Sequence, residues 1–220
     1  MWGGAGVMSS DGYNNFSSVI ASLAAIAAVY IGWMGLNTWK SQIKWQNDHD
    51  LARRLLVEIY RFRDAVADAR NPFIWAHEMR EEGKETTSGP RIADEHHAGR
   101  TRAHQRRFNE IGVSGPQIYA LLLEAEAVWG QDMSKLWKVV NRLKNELMSE
   151  TERYLESSHP SNKEADETAY YGTKEAKLAA RLVVFSNSGT DGKNEFSDRF
   201  ASAIASVEDY LRTKLGRATT

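Results

Sequence analysis

The hydrophobic pattern divides the chain into one long apolar segment near its start and a series of amphipathic segments after it. No Asp, Glu, Lys, Arg or His occurs between Asp11 and Lys40, and the apolar part of this segment is continuous over 16–36. As an α-helix that part would rise about 31 Å, close to the ~30 Å hydrocarbon core of a bilayer. Aromatic residues flank it on both sides, as in an interfacial belt. The pattern predicts a transmembrane helix over 16–39.

The distribution of charge predicts the orientation of this helix. Residues 1–15 contain no Lys or Arg, whereas a cleaved signal peptide begins with a basic region. A buried core helix would be equally apolar, but the abrupt change to Lys40 and Lys44 favours a membrane interface. Because Arg53 and Arg54 also follow the segment, the positive-inside rule predicts that 1–15 lies outside the cytoplasm and the rest of the chain inside it.

The next segment, 40–72, is predicted to form a juxtamembrane amphipathic helix. Its apolar residues recur at spacings of four and three, and they form one stripe: Leu51, Leu55, Ile59, Phe62, Val66 and Ala69. The helix is expected to stop at Asn71-Pro72, because proline breaks the hydrogen-bond pattern of a helix. We expect the stripe to pack within the remainder of the chain, with extension of a multimeric assembly as the alternative.

Residues 73–220 carry further apolar stripes at helical spacing and no sustained two-residue alternation. The four prolines fall at gaps in the apolar pattern, and Asp132 and Asn194 are predicted N-caps of two of the helices. Several amphipathic helices with short links bury their stripes most simply in a bundle. The predicted fold is therefore all-α, with one N-terminal transmembrane helix followed by a cytoplasmic antiparallel helical bundle over 73–220.

Composition adds few constraints. The net charge is −1, so no overall electrostatic field favours binding to nucleic acid. The chain contains no cysteine, which excludes disulfides, thiolate metal ligands and a cysteine nucleophile. The absence of cysteine also fits a reducing cytosol.

One cluster of arginines is the strongest polar feature of the sequence. GRTRAHQRRF, 99–108, contains Arg100, Arg102, Arg106 and Arg107, of which Arg102 and Arg106 share a helix face at a spacing of four. Such a cluster would contact phosphate, either in nucleic acid or in anionic lipid headgroups. The alternative, which the sequence favours, is a solvated face paired with acidic residues, because no aromatic stacking platform or recognisable nucleic-acid module accompanies it.

Metal and catalytic motifs are not apparent in the sequence. His96, His97 and His104 lie near one another in the chain, but zinc needs three or four convergent ligands, so exposed histidines are the preferred interpretation. HEMRE, 77–81, has Glu where HExxH needs its second histidine. We therefore predict no metal, cofactor or catalytic residue, although an anchored enzyme stays open as a third class of function.

The apolar segment contains a row of small residues that would permit close helix packing. The row consists of Ser17, Ala21, Ala24, Ala28, Gly32 and Gly35. Small residues at such spacing let helix backbones approach closely in lipid, which predicts self-association through this face. Ala and Gly are also common in membrane helices for other reasons.

Three segments resemble a family of bacterial proteins that have a single N-terminal span and no known activity. They are LARRLLVEIYRFRDAVADARNPFI (51–74), AEAVWG (125–130) and EFSDRFASAIASVEDYL (195–211). The resemblance implies a helical cytoplasmic domain and a bacterial inner membrane, and it implies no activity. These motifs are ordinary amphipathic helices.

Two functions follow as expectations. The first is a membrane-anchored cytoplasmic helical module that binds a protein partner, as a scaffold, sensor or receptor subunit. The alternative is a self-associating membrane effector that perturbs the bilayer when its cytoplasmic domain is triggered. The expected partners are the lipid bilayer, a protein that the sequence does not identify and further copies of the chain; nucleic acid is not expected.

Overall fold

The computed structural model describes residues 10–80, 92–160, 171–187 and 192–216, and for 10–22, 24–26 and 92 the backbone alone. The helices, numbered along the chain, are α1 (Ser10–Ala69), α2 (Ala76–Met79), α3 (Ile92–Val113), α4 (Gly115–Trp129), α5 (Asp132–Ser157), α6 (Lys174–Val184) and α7 (Glu195–Lys214). The described residues contain no β-strand. This confirms the prediction of an all-α helical bundle.

The chain divides into two compact units, 1–47 and 48–220. In the first unit, every side chain that the structure describes is exposed, namely Leu23 and all of 27–47. The boundary falls within the predicted juxtamembrane segment 40–72, so the predicted divisions at 39 and 72 differ from the division into units. The second unit contains the hydrophobic core described below.

The predicted transmembrane helix over 16–39 is not supported. Among the side chains that the structure describes, no helix combines the length and the apolar character that crossing a membrane requires. This finding overturns the predicted span, and with it the single-pass inner-membrane location with an external N-terminus and a cytoplasmic domain.

The core of the second unit begins with the C-terminal part of α1. The whole predicted stripe is buried, since its members are at most 3% exposed: Leu51, Leu55, Ile59, Phe62, Val66 and Ala69. Phe62 contacts two aromatic rings of other helices, Trp137 of α5 at 5.1 Å and Phe200 of α7 at 6.4 Å between ring centroids. Edge-to-face packing of this kind fixes the relative positions of helices more specifically than aliphatic contact does.

Apolar side chains of three further helices are also buried. They comprise Ile118, Leu122 and Ala125 on α4, Met133, Val140, Leu143 and Leu147 on α5, and Phe196, Phe200, Ile204, Val207 and Leu211 on α7. Asn194 is confirmed as the N-cap of α7, because its Oδ1 accepts from the Ser197 backbone N–H at 2.9 Å. The predicted N-cap Asp132 is wrong. Gln131 occupies that position, and Asp132 instead accepts a hydrogen bond from Lys135 at 3.0 Å.

A buried arginine, Arg70, joins the end of α1 to α6 and α7. Its side chain is 5% exposed in the folded chain. Its guanidinium donates to the carbonyls of Val183 and Leu182 at 2.8 Å and of Phe185 at 3.0 Å. These carbonyls belong to the last turn of α6, where no helical N–H is available to them. Arg70 therefore caps α6 from a position more than a hundred residues earlier in the sequence.

The same guanidinium also reaches the start of α7. It donates to Ser197 Oγ at 2.9 Å and to Asn194 Oδ1 at 3.2 Å, and it lies 4.5 Å from the centroid of the Phe196 ring. Burial lowers the pKa of Arg70 to about 10, so the group stays charged at neutral pH. Among the described residues no carboxylate pairs with it, and its charge is stabilised by neutral acceptors and a ring face.

Replacing Arg70 by methionine should destabilise the fold strongly. Arg70→Met keeps much of the apolar stem but removes the side-chain donor of the Val183 carbonyl and leaves the Leu182 and Phe185 carbonyls with the Asn194 amide alone, which we expect to cost about 3–5 kcal/mol of unfolding free energy. Denaturant unfolding of the full chain measures this loss. The control is Arg53→Met, because Arg53 is 66% exposed and pairs with Asp50 one turn away, and this variant should change stability by about 0.5 kcal/mol or less. Equal losses for both variants would contradict the capping role.

Candidate protein-binding groove

An open groove of about 570 Å³ lies on the second unit between the end of α3, α4 and α5. Three core side chains form part of its lining, Phe62, Ile111 and Leu122, and the half-buried ring of Trp137 extends it. We call it the α4–α5 groove. Because these side chains also belong to the hydrophobic core or pack against it, the base of the groove is as fixed as the core itself.

Local sequence explains why α4 begins and ends where it does. Ser114 is buried between α3 and α4, and its Oγ donates to the Ile111 carbonyl at 3.3 Å. Pro116 lies in the first turn of α4, where its missing N–H leaves no intrahelical bond unmade. Gly130 ends the helix at φ +81°, and its N–H donates to the Glu126 carbonyl at 3.0 Å. The two-residue link that follows makes α4 and α5 a helical hairpin.

The walls of the groove expose apolar side chains. Tyr119 and Leu123 of α4 are 65% and 53% exposed, and Met148 of α5 is 37% exposed. All three line the groove. They line the same groove as the buried side chains of its base, so apolar side chains occur from the base to the rim. Exposed apolar side chains that cluster around a groove occur at ligand-binding and protein-binding sites.

Two glycines form part of the lining where α3 meets α4. A Cβ atom placed on Gly112 or on Gly115 would meet no other atom within 4 Å. Neither residue has a positive φ, so a larger residue would not strain the backbone. A Cβ at either position would therefore meet open space at the groove.

The charged groups of the groove are mainly cationic. Lys138 is exposed and Lys144 is half-buried, and within the described part of the chain neither forms an ion pair. The lining also includes the carboxylate of Glu126, which accepts a hydrogen bond from Ser134 Oγ at 2.9 Å. Apart from Glu126, the groove presents two ammonium groups beside an apolar surface.

The predicted arginine cluster lies elsewhere, against the segment 71–80. Arg107 donates to Glu78 at 2.6 Å and to the backbone carbonyls of Asn71 and Phe73 at 2.7 and 2.6 Å. Arg107 is only 10% exposed, so the interpretation as a solvated face does not describe it. Its bonds to Glu78, followed by the Trp75 backbone N–H, hold the pKa of the Glu78 carboxyl below its usual value despite partial burial.

The other three arginines of the cluster also bind groups of this chain. Arg106 donates to the carbonyls of His77 and Glu78 at 3.0 Å and of Arg80 at 2.9 Å. Arg102 donates to the Met79 carbonyl at 3.1 Å, and Arg100 donates to the Tyr154 hydroxyl. The predicted phosphate contact stays a prediction, and any phosphate would compete with these carbonyls for the same donors.

The structure separates the three predicted histidines. His104 is 2% exposed and its Nε2 has no hydrogen-bond partner among the residues that the structure describes, so the expectation of an exposed histidine is wrong there. His97 donates from Nε2 to the Leu155 carbonyl at 2.9 Å, with the His159 ring 4.7 Å away, and His96 is exposed. Within the described ranges, no group of three or more His, Asp or Glu side chains is arranged to hold a metal ion.

The predicted self-association stripe lies in the first unit. The side chains of Ser17, Ala21 and Ala24 lie outside the described residues. Ala28, Gly32 and Gly35 are exposed, and a Cβ on either glycine would meet nothing within 4 Å. Self-association through this stripe stays a prediction.

No protein family, no curated protein and no solved structure matches the chain in comparisons with known proteins. The resemblance based on segments 51–74, 125–130 and 195–211 therefore stays a prediction. The groove was not predicted from sequence. A signal for it exists, because Tyr119 and Leu123 are large apolar residues outside the buried stripe of α4.

We expect His104 to make the fold sensitive to mild acid. Burial, with smaller effects of Arg107 and Arg100, lowers the pKa of His104 from 6.5 to about 4. Between those values the unfolded chain binds a proton that the folded chain does not, so stability should fall as pH falls from 6.5 to 4. The loss should total about 3 kcal/mol. Urea unfolding at stepped pH values measures it.

Two variants control for other titrating groups in this experiment. His104→Leu removes the group and should abolish most of the slope between pH 6.5 and 4. His77→Gln, at an exposed position, should keep the slope. The account of His104 is wrong if His104→Leu retains the slope of the parent chain.

Loss of Arg107 should release the segment 71–80. Arg107→Leu leaves the Glu78 carboxylate and two carbonyls without their donor, which we expect to cost up to about 3–5 kcal/mol. Hydrogen-exchange mass spectrometry should show faster exchange in peptides that cover 71–80. Arg61→Leu is the control, because Arg61 is 69% exposed and pairs with Glu58 one turn away. Unchanged exchange in Arg107→Leu would refute the anchoring role.

Proposed function

We propose that this chain is a helical protein-binding module whose α4–α5 groove holds an amphipathic helix of a partner protein. The observation that supports this most is the apolar lining of the groove, which includes buried Leu122 and Ile111 and exposed Tyr119, Leu123 and Met148. An amphipathic helix that lays its apolar face into such a groove is a common mode of peptide recognition.

The dimensions of the groove suit a helix of about four turns. The lining residues of α5 run from Ser134 to Met148, which corresponds to about 21 Å along a helix axis. A partner helix of about 14 residues has the same length. Anchor side chains spaced one turn apart on its apolar face would contact Tyr119, Leu123 and Met148 in the walls.

The groove is already formed in the unbound chain. Its base consists of side chains that the core holds in place, such as Phe62, so binding would not require ordering of this surface. Rigid aromatic groups that line an apolar site supply much of the energy in known interfaces, and Tyr119 and Trp137 are placed to do so. The bilayer-perturbing effector is not proposed, because it required the transmembrane helix that the structure does not support.

The test uses a synthetic 16-residue amphipathic helical peptide without net charge and a scrambled peptide of the same composition. We expect the full chain to bind the amphipathic peptide and not the scrambled one, as measured by isothermal titration calorimetry. Gly112→Trp should weaken binding by about tenfold or more, because the indole would occupy the groove. Ala127→Trp, at an exposed position on α4 that does not line the groove, is the matched control and should bind normally.

Two outcomes would overturn the proposal. In the first, Gly112→Trp binds the amphipathic peptide as tightly as the parent chain. In the second, sedimentation shows that the parent chain dimerises and that Gly112→Trp is monomeric, so that a second copy of the chain occupies the groove. Thermal unfolding of each variant should match that of the parent, since a side chain at Gly112 meets free space.

A further inference from the structure

We infer that the helix held by the α4–α5 groove carries acidic residues along the flanks of its apolar face. This inference rests on the proposed function and adds the chemistry of the partner. It starts from Lys138 and Lys144, the two lysines that line the groove.

The two lysines differ in their pairing from Lys135 and Arg153, two other cations of α5. Lys135 bonds to Asp132 at 3.0 Å, and Arg153 bonds to Glu150 at 2.9 Å. Lys138 and Lys144 form no ion pair within the described part of the chain. Their charge is therefore available to a ligand in the groove.

A docked helix would change the surroundings of both ammonium groups. Lys144 is half-buried already, and an apolar helix laid over the groove would remove more water from it. An ammonium group that loses water without gaining a carboxylate opposes binding. An acidic side chain on the partner would offset this cost, whereas a basic one would add repulsion.

The spacing of the lysines indicates where the partner's acidic residues would lie. Lys138 and Lys144 are separated by six residues, which is about 9 Å along the axis of α5. Two acidic residues seven positions apart on a partner helix are separated by about 10.5 Å along its axis. Glu or Asp at positions i and i+7, beside the apolar face, would therefore match the axial spacing of the two lysines.

The experiment uses three synthetic amphipathic peptides that share one apolar face and differ at two flank positions seven residues apart. One carries Glu at these positions, one Gln and one Lys. We expect the full chain to bind the Glu peptide about tenfold more tightly than the Lys peptide, with the Gln peptide between them. The difference should shrink in high salt, because exposed charge pairs are screened.

Variants of the lysines test the assignment to this groove. The double variant Lys138→Glu/Lys144→Glu should reverse the order, so that the Lys peptide binds most tightly. Lys135→Glu is the control, because Lys135 is 65% exposed, pairs with Asp132 and does not line the groove. It should leave the order of the three peptides unchanged.

The outcomes separate this inference from the proposed function. If all three peptides bind equally and Gly112→Trp weakens all of them, the groove binds helices but the acidic preference is wrong. If the parent chain and the double variant prefer the Glu peptide equally, another part of the chain recognises the acidic side chains of the peptide, and the inference is again wrong. If no peptide binds, or Gly112→Trp changes nothing, the proposed function itself fails.

Discussion

The hydrogen bonds from the buried guanidinium of Arg70 to main-chain carbonyls are the constraint on which the second unit depends most. Arg70 lies just beyond the end of α1, and its acceptors lie 112–127 residues further along the chain. Asn194 completes this junction, because its side-chain amide donates to the Leu182, Phe185 and Asn187 carbonyls while its oxygen caps α7. The end of α6 and the start of α7 are thereby fixed to α1. A single charged residue, buried without a carboxylate, thus fixes the placement of two C-terminal helices.

The segment 71–80 is held by the same physical device. Arg106 and Arg107 of α3 donate to its backbone carbonyls. Among their partners that the structure describes, the one carboxylate is that of Glu78, which accepts from Arg107. These bonds hold α3 from its middle, while Ile111 near its end packs into the core. This arrangement also fixes the shape of the groove, because two of its sides are formed by helices whose positions are set by buried contacts. Binding there would meet a preformed surface, which lowers the entropic cost of association.

Periodicity predicted the parts of the fold that depend on local spacing. The stripe from Leu51 to Ala69 is buried throughout, and Asn194 caps α7 as expected, because both features follow from residues within one helix or turn. The role of Arg70 could not be predicted, since three of its five acceptors are main-chain carbonyls, which carry no side-chain signature. His104 was wrongly predicted to be exposed, because its burial arises from tertiary packing.

The unpredicted groove shows a limit of hydropathy, which describes a segment and not what packs against it. Exposed Tyr119 and Leu123 form part of a groove only together with α5. The most direct test of the groove is NMR of the isotopically labelled full chain titrated with the uncharged amphipathic peptide. The account predicts that the resonances that shift belong to Gly112, Tyr119, Leu123 and Met148, which line the groove. Shifts that occur instead around segment 71–80, or that spread evenly over the chain, would contradict it.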